Sequence, residues 1–141
     1  MIVSKENHSI TTDKTKLDID FIHNFLTRSY WAEGISKEIV SRSVDGSFCF
    51  GIFDGNEQIG FARMVTDCAS FAYLADVFID ENYRGGGLSK WLLETIMSHP
   101  DLQGLRRIMM AIRDAHGLYN QFGFIPLNNP ERWMQIPNPD M

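Results

Sequence analysis

The sequence predicts an α/β (α+β) fold in which a mixed, mostly antiparallel central sheet is flanked by helices. Three runs with strand character follow one another between residues 47 and 79, and a tight turn at 54–56 separates the first two. The apolar spacing then becomes helical between 88 and 99, and a short apolar run follows at 107–112. A strand, a helix and a strand in this order favour a parallel crossover beside the antiparallel strands.

Length and composition predict one domain over residues 1–141. The chain is 44% hydrophobic and 22% charged, which is typical of a globular protein. Its formal net charge of -5 argues against nucleic-acid binding, because such binding needs a basic surface. No apolar run approaches the ~20 residues of a membrane helix. The polar segment 1–16 argues against a secretory signal peptide.

The cysteine count is informative about the compartment. Cys49 and Cys68 are the two cysteines, and two are too few for a disulfide scaffold. We therefore expect reduced thiols in a cytoplasmic protein.

The N-terminal third predicts an edge strand over 2–12 followed by two helices. Spacings of three and four residues place one apolar helix face on Ile19, Ile22, Leu26 and Tyr30. Asp18 and Asp20 suit the first turn of this helix, and Gly34 is expected to end it. Ser36 then caps a second helix that runs to about residue 43.

The later segments carry further predictions. Alternation along the third strand places on one side Phe71, Tyr73, Ala75, Val77 and Ile79. After the run at 107–112 we expect a short helix over 115–122. Two closing strands are expected over 124–127 and 132–136.

A glycine run separates the third strand from the helix that follows it. The loop reads Tyr83-Arg84-Gly85-Gly86-Gly87-Leu88-Ser89-Lys90. Residues without Cβ let a ligand approach the backbone, and the free N–H groups of a first helical turn favour an anion, most often a phosphate. Arg84 and Lys90 add positive charge. The alternative is that the glycines only make a tight turn.

Two nucleotide-binding templates do not fit this loop. The dinucleotide fingerprint needs a small residue where Lys90 stands, and the P-loop needs a Gly-Lys-Ser/Thr order that the chain lacks. General nucleotide binding is therefore disfavoured.

A third template does fit. Arg84-x-x-Gly87-x-Ser89 resembles the Arg/Gln-x-x-Gly-x-Gly/Ala signature of the GNAT superfamily of N-acetyltransferases, with serine in the last small position. Leu118-Tyr119-x-x-x-Gly123-Phe124 is similar to the second signature of that family, at the expected distance. The resemblance extends over about residues 17–136, towards a bacterial subgroup of unassigned substrate. One departure is Ile112, which stands where many members carry an asparagine that contacts the cofactor.

The resemblance implies acetyl-CoA as co-substrate and no metal. Its pyrophosphate would lie on the glycine loop, and its pantetheine arm would pair with the preceding strand. The implied cofactor-binding residues are Val77, Phe78, Ile79, Arg84, Gly85, Gly86, Gly87, Leu88, Ser89 and Lys90. Backbone N–H groups of the same strand would also polarise the acetyl carbonyl.

Tyr119 is the residue that the resemblance implies as general acid. A tyrosine hydroxyl, with an ordinary pKa near ~10, is protonated at neutral pH and is able to donate to a departing thiolate. The alternative is that Tyr119 only packs beside Phe122 and Phe124.

Asp76 is the second catalytic candidate. It lies in an apolar strand, where a carboxylate is unfavourable unless it is paired or solvated in a cleft. It is predicted either to accept the amine proton or to hold the substrate ammonium, and the alternative is a salt bridge with Arg63 or Arg113. His116 is a weaker candidate base.

By analogy with the family, the acceptor pocket lies between the first helices and the central strands. The residues proposed to line it are Tyr30, Trp31, Arg63 and Asp67. Tyr30 and Trp31 suit plain core packing equally well. An aromatic wall is able to hold a cation or an apolar body, and Arg63 a carboxylate. The acceptor class therefore stays open between an amino-acid-like and a polyamine-like amine.

The favoured function is an acetyl-CoA-dependent N-acetyltransferase that moves an acetyl group to a primary amine of a small molecule by direct transfer in a ternary complex. The alternative is a non-catalytic acyl-CoA-binding or sensing module. Scattered histidines and cysteines give no metal-ligand spacing. No nucleic-acid or membrane partner is expected. Because members of the family often pair, the resemblance allows a homodimer, without indicating an interface.

Overall fold

The computed structural model describes residues 2–140, which form one six-stranded sheet whose strand order follows the chain. The strands are β1 (Ile2–Lys5), β2 (His8–Thr11), β3 (Phe48–Asp54), β4 (Glu57–Thr66), β5 (Phe71–Ile79) and β6 (Arg107–Met109). Neighbours from β1 to β5 pair antiparallel, and β6 lies parallel to β5. The predicted mixed, mostly antiparallel sheet is confirmed.

Four α-helices accompany the sheet in the described part of the chain. They are α1 (Ile19–Leu26), α2 (Lys37–Asp45), α3 (Leu88–Ser98) and α4 (His116–Asn120). The side chains of Asp18 and Ser36 accept N–H groups at the starts of α1 and α2. The Ser36 cap was predicted, whereas Asp18, expected in the first turn, is the N-cap of α1. The longest helix, α3, has 11 residues, and no helix within residues 2–140 has the length and apolarity to cross a membrane.

The first helix ends earlier than predicted, which moves Tyr30 off its apolar face. Past Leu26 the buried Ser29 hydroxyl donates to the Leu26 carbonyl at 2.6 Å and accepts the Ala32 N–H at 3.1 Å. These side-chain bonds compete with helical ones and fold a compact loop instead. Gly34 closes that loop by donating its N–H to the Thr27 carbonyl.

Helices on both faces of the sheet bury two separate cores. One core lies on the side of α3 and includes Ile10, Phe50, Ile59, Met64, Leu74, Ile79, Leu92 and Ile96. The other lies on the side of α1 and α2 and includes Ile22, Leu26, Val40, Val44, Cys49, Phe61 and Phe78. A sheet covered on both faces explains why residues 58–62 of β4 are buried without alternation.

A β-bulge in β5 overturns the predicted alternation of that strand. Between the pairs Phe61↔Phe78 and Arg63↔Ala75, one residue of β4 faces two of β5. Asp76 occupies the bulge with φ 56°, a left-handed conformation that aspartate tolerates better than most residues. An extra residue turns each later side chain to the opposite face. Val77 and Ile79 therefore pack on the α3 side with Leu74, and not on the side of Phe71 and Tyr73.

Both ends of the chain also differ from the prediction. The single edge strand expected over 2–12 is a hairpin, because β1 folds back on β2. The closing strands expected over 124–127 and 132–136 are wrong: within residues 2–140 the chain forms no strand after β6. Pro126 and Pro130 lack the N–H that a ladder needs, and the Met134 and Ile136 side chains are 96% and 99% exposed.

Candidate functional site

The two parallel strands pair over three residues only, and the gap between them beyond that point is called the cleft. Ladder pairing joins β5 to β6 only over Phe71–Tyr73 and Arg107–Met109. Beyond Tyr73, β5 continues to Ile79 with β4 on one side and no strand on the other. The helices that follow these strands, α3 and α4, begin at the same end of the sheet, as parallel order requires. Unpaired backbone, a glycine loop and two helix starts therefore meet at the cleft.

The glycine loop leaves the backbone N–H groups at the start of α3 exposed. Gly85 and Gly87 have φ of 87° and 78°, and a Cβ built on either residue meets nothing within 4 Å. The first helical N–H to find a partner is that of Trp91, which donates to the Gly87 carbonyl. The N–H groups of Leu88, Ser89 and Lys90 have no acceptor among the residues described. No acidic side chain lies in this first turn, so an anion is the natural partner.

Two contacts position the loop in front of the strand end. The Arg84 Nε donates to the Ile79 carbonyl at 3.2 Å, which leaves the other guanidinium N–H groups exposed beside the glycines. The Tyr83 hydroxyl donates to the Asp54 carboxylate at 3.1 Å and links the loop to the end of β3. That hydrogen bond raises the pKa of Tyr83.

The strand segment expected to pair with a cofactor offers its backbone and not its side chains. Phe78 is 5% exposed and stacks on Phe25 of α1, with ring centroids 3.9 Å apart. Val77 and Ile79 point into the opposite core. What faces the cleft from residues 77–79 is therefore the edge of β5 that no strand covers.

Tyr119 of α4 has a buried ring and an unengaged hydroxyl. Its side chain is 7% exposed and packs edge-on against Phe124, with centroids 5.9 Å apart. The hydroxyl makes no hydrogen bond within residues 2–140, and it is not sealed from solvent. Burial, and then the nearby Tyr30, raise the pKa of Tyr119. The phenol therefore stays protonated at neutral pH and is able to donate.

Asp76 lies between Trp31 and Arg63 and is hydrogen-bonded to both. One carboxylate oxygen accepts the Trp31 indole N–H at 2.9 Å, and the other accepts the Arg63 Nε–H at 2.9 Å. A second Arg63 nitrogen donates to the Ser47 hydroxyl at 3.1 Å. Of the two salt bridges left open by the sequence, the structure forms the one with Arg63.

The loop after α1 forms an aromatic wall above Asp76. Tyr30 and Trp31 meet edge to face, with ring centroids 5.1 Å apart, and are 51% and 42% exposed. The guanidinium carbon of Arg113, from the loop between β6 and α4, lies 3.9 Å from the Tyr30 centroid. The sequence offered Arg113 only as a salt-bridge partner of Asp76, and its contact with Tyr30 was not predicted, because only the fold brings the two loops together.

Asp67 does not join this cluster. Its carboxylate accepts the backbone N–H groups of Ala69, Ser70 and Phe71 and the Ser70 hydroxyl, all within the turn before β5. The hydroxyl contact, and then the backbone N–H groups, hold the pKa of Asp67 well below its usual range. The turn lies at the opposite end of β5 from the glycine loop. Asp67 is therefore a turn residue, and its predicted place in the acceptor pocket is not what the structure forms.

The side chains of the described residues form no ligand set for a metal ion. Within 2–140 no three side chains of the His, Cys, Asp and Glu types lie together as a ligand set. The charged and hydrogen-bonding side chains around Asp76 and Tyr119 are instead two arginines, one carboxylate and three aromatic residues with polar tips. Such groups suit an organic substrate better than a metal ion.

Comparison with known proteins decides the family. A sequence profile described as Acetyltransferase (GNAT) family matches residues 15–124, more than half of the chain. The chain belongs to the GNAT acetyltransferase family. The match contains both the glycine loop and Tyr119, so the parts of the cleft described above lie inside the GNAT region.

Solved and curated relatives agree with this assignment. A GNAT acetyltransferase structure from Xanthomonas campestris pv. campestris has a TM-score of 0.91 and 46% identity, covering 94% of each chain. A protein of Gibberella zeae named as an acetyltransferase is 28% identical over 141 residues, 84% of this chain and 78% of the relative. A GNAT structure from Elizabethkingia anophelis with acetyl-CoA bound shares the fold, with a TM-score of 0.66 at 16% identity over 88% of this chain and 80% of that chain.

Proposed function

We propose that this GNAT acetyltransferase transfers an acetyl group from acetyl-CoA to a primary amine of a small molecule, directly and within a ternary complex. The observation that carries the proposal is the open start of α3, whose first three N–H groups have no acceptor among the described residues; the Tyr119 hydroxyl of α4 is likewise without a partner there. The combination supplies an anion site and a proton donor on two neighbouring helices.

The donor side of the cleft fits a diphosphate attached to an extended arm. The N–H groups of Leu88, Ser89 and Lys90 would hold the diphosphate, and the exposed guanidinium N–H groups of Arg84 would add charge-assisted hydrogen bonds. Gly85 and Gly87 leave open the space that side chains would fill. Residues 77–79 would pair with the amide groups of the arm as a further strand would. No side chain is needed for that pairing, which agrees with their burial.

Tyr119 is proposed as general acid. Acetyl-CoA supplies the thioester; transfer forms a C–N bond at the acceptor and breaks the C–S bond, and the departing sulfur needs a proton. Tyr119 holds that proton at its hydroxyl, and its raised pKa keeps it there. The absence of a hydrogen-bond partner within the described chain leaves the hydroxyl free for the sulfur.

Asp76 is proposed to orient the acceptor amine and to take up the proton that the amine loses. A carboxylate has about four acceptor positions, and Trp31 and Arg63 occupy two of them. The remaining lone pairs are proposed to accept from the acceptor amine. Left-handed backbone at an aspartate within a strand is a strained arrangement of the kind that clusters at functional sites.

The competing function is a module that binds acyl-CoA without catalysis. Both functions need the glycine loop, but only transfer needs an unengaged Tyr119 hydroxyl. The structure provides such a hydroxyl in a buried setting that raises its pKa, and this supports catalysis.

The experiment is to incubate the protein with acetyl-CoA and a panel of small primary amines and to identify acetylated amines by mass spectrometry. Calorimetry with CoA runs in parallel. Catalysis predicts CoA binding and at least one acetylated amine. CoA binding without any product would identify the sensing module, and no CoA binding would reject both functions.

Gly86→Ala is the variant that links activity to the loop. The φ of Gly86 is not in the left-handed region, and a Cβ there meets only the Tyr83 carbonyl at 4.0 Å, so the fold tolerates alanine. Its methyl group would lie where the diphosphate approaches, and CoA should bind at least tenfold more weakly. Gly46→Ala, at the end of α2, is the matched control that should bind CoA normally.

Two further expectations concern the setting of the enzyme. Cys49 and Cys68 are both free thiols, which supports the reducing, cytoplasmic compartment proposed from the sequence.

The exposed, apolar side chains of Trp133, Met134 and Ile136 support a homodimer. Light scattering of wild type and of a Met134→Ser/Ile136→Ser variant tests the dimer, because the variant should be monomeric.

A further inference from the structure

Arg113 is a charge at the cleft that its neighbours leave unbalanced. Its guanidinium lies over the Tyr30 ring, and no carboxylate of residues 2–140 lies within 4.0 Å of it. Asp114 follows it in the chain but forms no ion pair with it. The contact with Tyr30 holds the guanidinium over an exposed aromatic ring.

The negative charge of the same cluster is already matched. Asp76 pairs with Arg63, whose side chain is 18% exposed, and also accepts the Trp31 indole N–H. Two guanidinium groups and one carboxylate leave one net positive charge beside the aromatic wall. A cationic acceptor would need the face of the Tyr30 ring, which the Arg113 guanidinium already covers. A carboxylate would meet a positive charge without a partner.

We propose that Arg113 binds a carboxylate of the acceptor, so that the acceptor class is amines that carry a carboxylate, such as amino acids, and not polyamines. This inference rests on the proposed function and deepens it. A guanidinium that contacts a ring with its face keeps the N–H groups of its edge, and these bind a carboxylate through two parallel hydrogen bonds. Tyr30 and Trp31 bridge Arg113 at one end of the cluster to Asp76 at the other. The carboxylate of the acceptor therefore lies at Arg113 and its amine at Asp76.

The test compares matched pairs of amines that differ by one carboxylate: phenylalanine with 2-phenylethylamine, leucine with isoamylamine, and lysine with cadaverine. Acetylated product is quantified at saturating acetyl-CoA for wild type and Arg113→Gln. Arg42→Gln, on the exposed face of α2, is the matched control. Wild type and the control should prefer the carboxylate member at least tenfold in kcat/KM. Arg113→Gln should lose that preference through a higher KM for the acceptor.

A binding measurement decides the inference independently of transfer. The indole N–H signal of Trp31 is followed by NMR while the same compounds are added, and Trp31→Phe assigns the signal. Saturable shifts with the carboxylate members, lost in Arg113→Gln, support the inference even if no product forms. Equal shifts with both members, no shift with either, or a preference for the decarboxylated amine would overturn it.

Failure of the proposed function is distinguishable from failure of the inference about Arg113. It appears as an absence of acetylated product from every amine, whichever member binds at Trp31. If Arg113→Gln instead raised only the KM for acetyl-CoA, Arg113 would belong to the donor side, and the inference about the acceptor would be wrong.

Discussion

The Arg63 Nε lies 2.9 Å from a carboxylate oxygen of Asp76, and the two side chains are 18% and 10% exposed. The pair joins β4 to β5 at the bulge, next to the point where β5 loses its second neighbour. An ion pair largely withdrawn from solvent, at a strained backbone position, links the two strands at the bulge. It also fixes the indole of Trp31, which shares the same carboxylate.

Asp76→Asn should lower the free energy of unfolding by about 1–3 kcal/mol, because Arg63 stays mostly buried without a counter-charge. Asparagine tolerates the left-handed backbone, so the substitution isolates the charge. Denaturant unfolding of Asp76→Asn, Arg63→Gln and the double variant gives the coupling between the two residues. We expect the double variant to be less destabilised than the sum of the single ones by about 0.5 kcal/mol or more. Strict additivity would mean that the pair does not stabilise the fold.

Tyr119→Phe should keep the fold and lose turnover. The hydroxyl has no hydrogen-bond partner in the described structure, so its removal leaves packing intact. Loss of the general acid should lower kcat by about 10²-fold or more at unchanged affinity for CoA. Tyr73→Phe, near the start of β5 and away from the glycine loop, is the control and should have the wild-type kcat. If Tyr119→Phe kept the wild-type kcat with the best acceptor, Tyr119 would not be the general acid.

The raised pKa of Tyr119 gives a pH dependence with a definite sign. Burial and Tyr30 favour the neutral phenol, so the donor form persists above the ordinary tyrosine pKa of about 10. The rate should therefore show no loss from Tyr119 ionisation below about pH 10. A basic limb that falls near pH 8 in wild type and is absent in Tyr119→Phe would contradict this.

Asp67 should contribute to stability in a pH-dependent way. Its pKa is lowered in the folded chain, mainly by the Ser70 hydroxyl and then by backbone N–H groups. The stabilisation is therefore present above the unfolded pKa of about 3.9 and is lost as the pH falls through the folded value. Thermal melts should show a higher Tm for wild type than for Asp67→Asn at pH 7, with the gap closing below about pH 4. Asp140→Asn is the control, and a gap independent of pH would refute the assignment.

The two cysteines should differ in reactivity. Burial raises the pKa of the Cys49 thiol to about 11, and its side chain is 2% exposed, whereas Cys68 lies exposed in a turn. Mass spectrometry after brief alkylation of the folded protein at pH 8 should find one modification, at Cys68. Equal labelling of both cysteines would show that the core around Cys49 opens readily.

Local patterns predicted most of the architecture because they report local physics. The helix cap at Ser36 and the glycine loop before Leu88 depend on residues near in sequence. The bulge at Asp76 does not, because it arises from the register between β4 and β5, and alternation alone hides it.

The site shows the same difference between features set by neighbouring residues and features set by tertiary contacts. The donor loop was predictable, because the N–H groups of a helix start are a property of one segment. The cluster of Tyr30, Trp31, Arg63 and Asp76 was predictable in part, whereas Asp67 is hydrogen-bonded within its own turn. Arg113 could not be anticipated on Tyr30, since the contact joins two loops that only tertiary structure brings together.

The central claim is that the bared start of α3 binds the diphosphate of the acetyl donor. The most direct test is the crystal structure of this protein soaked with CoA. The account predicts diphosphate oxygens about 3 Å from the amide nitrogens of Leu88, Ser89 and Lys90, with the arm along residues 77–79 and the thiol next to the Tyr119 hydroxyl. A diphosphate bound elsewhere, with those amides free, would contradict it.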